Sequence, residues 1–317
     1  MVIFGARMTE SMFILMLACH HGSAEPPPAA EAPIQQRPER ADMPANTWIR
    51  ERWNLARADH QWQPPSPIAQ SAIAMAIHKL VLAAQSCDAQ MASSVAQELR
   101  AHGLQMDQFR SESTSFWLVY EDQNGRGHGV YAIRCGAAIE VALQAPHAIY
   151  DQWTGAIVRD LFAKQPFRLA MWNTTHRYRA TQEEDKDKAE HPADVAHNRD
   201  SVFHQVSQTL LLNTTLRFAQ LHGFAQDNGF DVILSFGTEK SQPEQLAQHL
   251  APLSGRIGLY GSTASILGAT TNVLAKSISE EAHGRFVHIE LNKEIRESLK
   301  SDGAQQNILA EALKATW

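Results

Sequence analysis

Three short stretches carry side chains suited to holding a metal ion: Pro146-His147-Ala148-Ile149-Tyr150-Asp151, Leu221-His222-Gly223-Phe224 and His288-Ile289-Glu290-Leu291-Asn292. Each ends or interrupts an apolar run that reads as a buried strand. Imidazole and carboxylate at the edge of a sheet are what a hydrolytic zinc site needs. His147 and Asp151 stand four apart, so both can reach one ion from a tight loop or a first helical turn. The competing reading makes Asp151 the N-cap of the next helix and His147 a loop histidine. His222 follows the apolar run 216–221, and Gly223 allows a sharp turn and close backbone approach. By itself His222 reads equally as a partly exposed strand-end histidine.

Glu290 sits where a carboxylate is costly. On a strand, Val287, Ile289 and Leu291 share one face, and His288, Glu290 and Asn292 share the other with Phe286. A strand inside a covered parallel sheet is apolar on both faces, so an ionised Glu needs a partner or water. It reads as a catalytic base, as half of a salt bridge to an Arg, or as a residue of an edge strand. Arg177, in Asn173-Thr174-Thr175-His176-Arg177, follows another strand and can grip a substrate carboxylate bidentately or steady an oxyanion. It reads otherwise as a surface Arg. His176 is a reserve ligand or a substrate contact. His197, in the segment 194–200 before a helix, is a candidate for the cleft wall, with Asp200 or Ser201 as the alternative capping role. Asn272 lies in a polar loop, 268–272, of a composition suited to substrate contact.

The elements that position these residues can be read from periodicity. Residues 47–60 suggest a short docking helix. Pro64-Pro65-Ser66-Pro67 resets the chain, and 68–109 has helical spacing with a break near 86–90. Strands are expected at 115–120, 130–134 and 138–145, with Asn124-Gly125-Arg126-Gly127 as a hairpin turn. Helix and strand then alternate: helices at 154–164, 201–212, 243–250 and 304–314, strands at 167–173, 216–221, 231–236 and 285–291. A charged run, 181–190, reads as a solvated loop. This order implies an α/β fold: a mixed, mostly parallel sheet flanked by helices, with an N-terminal helical extension.

The chain has 317 residues, 44% hydrophobic and 20% charged, enough for a sizeable core. Its net charge of -6 argues against a nucleic-acid surface. No run of the roughly 18 apolar residues needed to span a membrane is evident. Arg7, the apolar run 12–18 and Cys19 resemble a lipoprotein-type export signal, with Cys19 as the lipidated residue and the protein exported, periplasmic or membrane-anchored. The expected division is a leader over 1–23, a Pro/Ala-rich tether over 24–46, the helical extension over 47–110 and an α/β domain over 111–317. Cys87 and Cys135 then remain, either disulfide-bonded or as two small buried thiols.

Taken in order, a His-plus-acid loop, an Arg-bearing loop, a strand-end His and a late-strand Glu resemble the zinc carboxypeptidase-like superfamily. The likeness is nearest its N-formylglutamate amidohydrolase and poly-γ-glutamate hydrolase branches, through Leu221-His222-Gly223 and Ile289-Glu290-Leu291-Asn292. The resemblance runs from about residue 117 to the C-terminus. It implies a zinc exopeptidase-like fold, Zn2+ held by His147, Asp151 and His222, Glu290 as general base and Arg177 as substrate anchor. It also implies a peptide, N-acyl amino acid or γ-glutamyl substrate. The chain departs from the family in having His-x-x-x-Asp where carboxypeptidases have His-x-x-Glu, and His176-Arg177 in place of their Asn-Arg. A non-catalytic envelope lipoprotein of the same fold, binding a peptide or cell-wall fragment, is the competing expectation.

Overall fold

The computed structural model describes residues 43–57, 62–121, 125–179, 191–238, 240–278 and 284–316. The expected leader, Cys19, the tether up to residue 42, Asn124 of the hairpin turn and the charged run 181–190 lie outside the described residues.

The strands are β1 (Leu104–Arg110), β2 (Ser115–Glu121), β3 (Val130–Arg134), β4 (Ile139–Ala145), β5 (Phe167–Trp172), β6 (Arg217–Gly223), β7 (Val232–Ser235), β8 (Ile257–Leu259) and β9 (Phe286–Leu291). They form one 9-stranded sheet in the order β1-β2-β3-β5-β4-β6-β9-β7-β8. The sheet is mixed. β4 pairs in parallel with β5 and β6, and β6 in parallel with β9. Antiparallel pairing flanks this centre, joining β1 to β2, β2 to β3, β3 to β5 and β7 to β9.

Helices cover both faces: α1 (Ala45–Ala56), α2 (Pro67–Ser86), α3 (Ala89–Arg100), α4 (Thr154–Lys164), α5 (Val202–Asn213), α6 (Glu244–Leu250), α7 (Lys293–Ser301) and α8 (Gly303–Thr316). On one face Ile77, Leu80, Leu99 and Leu210 of α2, α3 and α5 pack on Tyr131, Met171, Phe218 and Phe286. On the other, Phe162, Leu246 and Leu309 of α4, α6 and α8 pack on Leu143, Leu221 and Ile289, with Ile49 of α1 in the same cluster. Alternation along each strand sends neighbouring residues to opposite cores, which is why the central strands are apolar throughout their middles.

Local signals set the helix ends. Ser66 Oγ accepts from the Ala69 N–H ahead of Pro67, an N-cap followed by a proline whose missing N–H costs nothing there. The expected break after α2 is Cys87 in a left-handed conformation, and Asp88 then caps α3 through Gln90 and Met91. Ser201 caps α5 and Asn292 caps α7.

The structure differs from the expected outline in five places. Residues 104–110 are not the tail of a helix: β1 pairs with β2 along its whole length. The expected boundary at 110 therefore falls inside the sheet, and α2 and α3 form one of its two covering layers rather than a separate extension. β8 and α7 were not expected, and β6 runs on through His222 and Gly223. α2 is long and apolar enough to cross a membrane by length and composition, unlike the reading above. It lies against α5, with Ile73, Ala74, Ile77, Leu80 and Val81 buried in the core. Cys87 and Cys135 are both free thiols.

Candidate metal centre

β4, β6 and β9 run in parallel side by side, so their carboxyl ends share one edge. In open α/β sheets that edge is where sites form. The register places Gln144 opposite Gln220, Gln220 opposite His288, and His222 opposite Glu290. Their side chains follow Ala142, Phe218 and Phe286 onto the face covered by α2, α3 and α5. The polar cluster is thus the carboxyl-end continuation of an apolar core. β9 lies between β6 and β7, which removes the edge-strand explanation for Glu290.

His147 and Asp151 stand on the turn between β4 and α4. The Asp151 N–H donates to the His147 carbonyl at 2.8 Å, one helical turn that brings side chains i and i+4 to the same side. Asp151 does not cap α4. That position is taken by Trp153, with φ 73, and makes no side-chain cap. The Asp151 carboxylate enters the site instead. Its Oδ2 lies 3.3 Å from His147 Nδ1 and 3.3 Å from His222 Nδ1, and accepts the Gly223 N–H at 3.1 Å. His147, Asp151 and His222 are all buried, with possible ligand atoms within 4.8 Å of one another.

A carboxylate missing from the expected set completes the arrangement. Asp194, 0% exposed, holds His147 Nε2 at 2.8 Å through Oδ1. Its Oδ2 lies 2.5 Å from Arg177 Nη2 and 3.1 Å from His197 Nδ1. A carboxylate on the outer nitrogen of an imidazole fixes its tautomer and orientation and raises its basicity. His288 also enters the site: its ring centroid is 4.4 Å from that of His222, and its Nε2 is 3.6 Å from Glu290 Oε1.

The other expected residues divide. Arg177 is at the site, with Nη1 3.5 Å from His147 Nδ1 and its guanidinium over the Tyr150 and Tyr178 rings. His197 joins through Asp194. His176 packs edge-on against Tyr150 and accepts the Tyr178 N–H, and it belongs to none of the candidate ligand groups among the described residues. Asn272 is corrected from a substrate contact to a buried wall residue. Its Oδ1 accepts the N–H groups of Leu274 and Ala275, and its Nδ2 donates to Gln220. A signal for Asp194 was present only as its spacing of three from His197, and nothing local told it apart from a capping acid.

Burial alone would lower His147, but the Asp151 and Asp194 carboxylates outweigh it and raise it to about 9. Burial pulls the other way on Asp151 and Asp194, yet the imidazoles beside them hold both well below the usual carboxylate range. Burial pushes His222 down to about 4, and His288 well below its ordinary value, so both rings are neutral. Glu290 is raised to about 8, by burial and then by the nearby Asp151 charge.

Two imidazoles and one carboxylate are a donor set that suits a divalent ion of the zinc class. Glu290 Oε2 and His288 Nδ1 are buried without a hydrogen-bond partner, so the pocket has polar capacity the protein leaves unused. The residues fit a metal.

No family model matches the chain, and no curated protein matches its sequence. Its fold is similar to several solved structures. One is an N-formylglutamate amidohydrolase from Ralstonia eutropha JMP134, at 12% identity and a TM-score of 0.37, covering 60% of this chain and 96% of that one. Another is a bacteriophage poly-γ-glutamate hydrolase, at 11% identity and a TM-score of 0.36, covering 56% and 82%. A succinylglutamate desuccinylase from Vibrio parahaemolyticus gives 9% identity and a TM-score of 0.40, covering 68% and 78%.

Proposed function

We propose that this chain is a zinc-dependent amide or peptide hydrolase acting on a carboxylate-bearing substrate: a peptide, an N-acyl amino acid or a γ-glutamyl chain. One observation carries the reading. A single buried oxygen, Asp151 Oδ2, is flanked by the Nδ1 atoms of two histidines, and a carboxylate with one oxygen lacking a hydrogen-bond partner, that of Glu290, stands in register beside one of them.

His147, Asp151 and His222 would hold the ion. When bound, such an ion acts as a Lewis acid and acidifies water at the site. Glu290 takes the proton at Oε2 from the attacking water and returns it to the leaving amine. Burial first and the Asp151 charge second raise Glu290; positive charge arriving at Asp151 offsets the second cause and draws Glu290 toward the ionised form that accepts a proton. Asp194 holds His147 in place. Arg177, partly exposed at the rim, keeps its Nε without a hydrogen-bond partner and can turn that edge toward a substrate carboxylate. Tyr150 and Tyr178 brace the guanidinium from either ring. Export and anchoring through Cys19 belong to the proposal on the leader pattern alone; intact-mass measurement of the chain from its native cells tests them.

The decisive experiment couples zinc analysis to a panel of peptide, N-formyl and γ-glutamyl substrates. Glu290→Gln is expected to keep stoichiometric zinc and lose at least about 100-fold in turnover. Wild-type protein that neither carries nor takes up zinc overturns the reading. So does a Glu290→Gln variant of near-normal activity.

A further inference from the structure

His222 belongs to two of the candidate ligand groups, one with His147 and Asp151, the other with His288 and Glu290. Its Nδ1 lies 3.3 Å from Asp151 Oδ2, and its Nε2 faces Gln220 Oε1. Behind the ring runs a buried hydrogen-bond chain whose direction is fixed at both ends.

One end is a backbone carbonyl. Ser207 Oγ–H donates to the Phe203 carbonyl at 2.8 Å, and a carbonyl can only accept. Ser207 Oγ is then the acceptor for Gln144 Nε2, at 2.8 Å. Gln144 Oε1 in turn accepts from Gln220 Nε2, at 2.9 Å. That leaves Gln220 Oε1 facing His222 Nε2 at 2.9 Å. The other end gives the same answer independently. Asn272 Oδ1 accepts two backbone N–H groups, so its Nδ2 must donate, and it does so to Gln220 Oε1 at 2.6 Å. An amide oxygen so placed can only accept, and His222 must supply the proton from Nε2.

We infer that the chain Ser207–Gln144–Gln220, braced by Asn272, locks His222 as the Nε2–H tautomer and so leaves its Nδ1 lone pair, beside the Asp151 carboxylate, free for a metal. Nδ1 is the atom 3.3 Å from Asp151 Oδ2. The lock therefore keeps free the nitrogen that the ligand group His147–Asp151–His222 would use. Gln144, Gln220, Ser207 and Asn272 are all at most 2% exposed, so water cannot substitute for a missing link. These four are positioning residues. They line no substrate surface, and three sit on β4, β6 and α5, elements rigid by virtue of the core they share.

The inference rests on the metal-site reading for its consequence but not for its test. Long-range 1H–15N spectra of the metal-free full-length chain report the tautomer of His222, assigned by the signals lost in His222→Gln. The expected wild-type result is a neutral ring protonated at Nε2. An Nδ1–H or charged ring overturns the inference, whatever zinc does. In Gln220→Met, checked for native circular dichroism, the tautomers should mix and zinc affinity should fall about 10–100-fold. A folded Gln220→Met that keeps both a pure Nε2–H ring and wild-type zinc affinity also overturns it. If the wild-type ring is Nε2–H and no zinc binds, the metal-hydrolase reading fails while the tautomer lock stands.

Discussion

At the scale of single residues, the site is a set of charges arranged around one oxygen. Without an ion, His147 is charged and bridges Asp151 and Asp194, standing where positive charge is wanted. A metal must displace that proton. Because His147 is raised to about 9, zinc affinity should climb about tenfold per pH unit from pH 7 toward 9 and then level off. Titration calorimetry in buffers of different ionisation enthalpy should show between about one and two protons released per zinc at pH 7.5, one from His147 and the rest from Glu290. Asp194→Asn keeps the volume but removes the charge that orients His147. It should weaken zinc binding about 10–100-fold, measured by competition with a chelator, without unfolding the chain. His147, His222 and Glu290 stood out in the sequence as candidates because each ended or broke an apolar run, and the fold brings them to one sheet edge. Asp151 was legible only as a suspect, since an acid before a helix normally caps it; Trp153 in a left-handed conformation is what frees it here. Asp194 was illegible as a partner of His147, because that contact spans 47 positions and no local pattern encodes it.

At the scale of elements, the site depends on how β6 leaves the sheet. The glycine after His222 proves necessary for a reason the sequence did not disclose. A Cβ at Gly223 would stand 2.6 Å from the Arg296 guanidinium. Arg296, on α7, donates to the carbonyls of Leu291, Asn292, Gln152 and Phe224, tying the ends of β6 and β9 to the His147 turn. Gly223→Ala should therefore cost about 1–3 kcal/mol, seen as a lower urea midpoint, and should weaken zinc binding through Asp151, which accepts the Gly223 N–H. The central elements were legible because their periodicity was unambiguous: β3 and α4 fall where alternation and 3.6-residue spacing put them. β1 was misread because Leu104, Met106 and Phe109 suit either period, and only pairing with β2 settles it. α7 was missed because its outer face is so polar that only Ile295 and Leu299 mark the buried side, and β8 is too short to show a period.

At the scale of the whole molecule, buried neutral histidines set an acid limit. Burial, with Arg199 beside it, lowers His204 to about 4, and burial with Arg126 nearby lowers His128 to about 4. The unfolded chain takes up these protons first, near pH 6.5, so the stability they contribute is full above 6.5 and is lost as pH falls toward 4. At about 1.4 kcal/mol per pH unit, each can contribute up to about 3 kcal/mol across that window. The wild-type Tm drop between pH 7 and pH 4.5 should exceed that of His204→Gln, and equal drops would refute the assignment. The overall architecture was legible as alternating helix and strand, but the strand order was not, since β9 enters between β6 and β7 although it follows both in sequence. That late insertion has a consequence for biosynthesis. Until residues 286–291 have been made, β6 and β7 each lack a neighbour, and Glu290 and the Arg296 tie do not exist. A nascent or truncated chain ending before β9 therefore presents two open sheet edges, the surfaces most prone to pairing with another molecule. Completion of the sheet and completion of the candidate metal site are one event in the life of the chain.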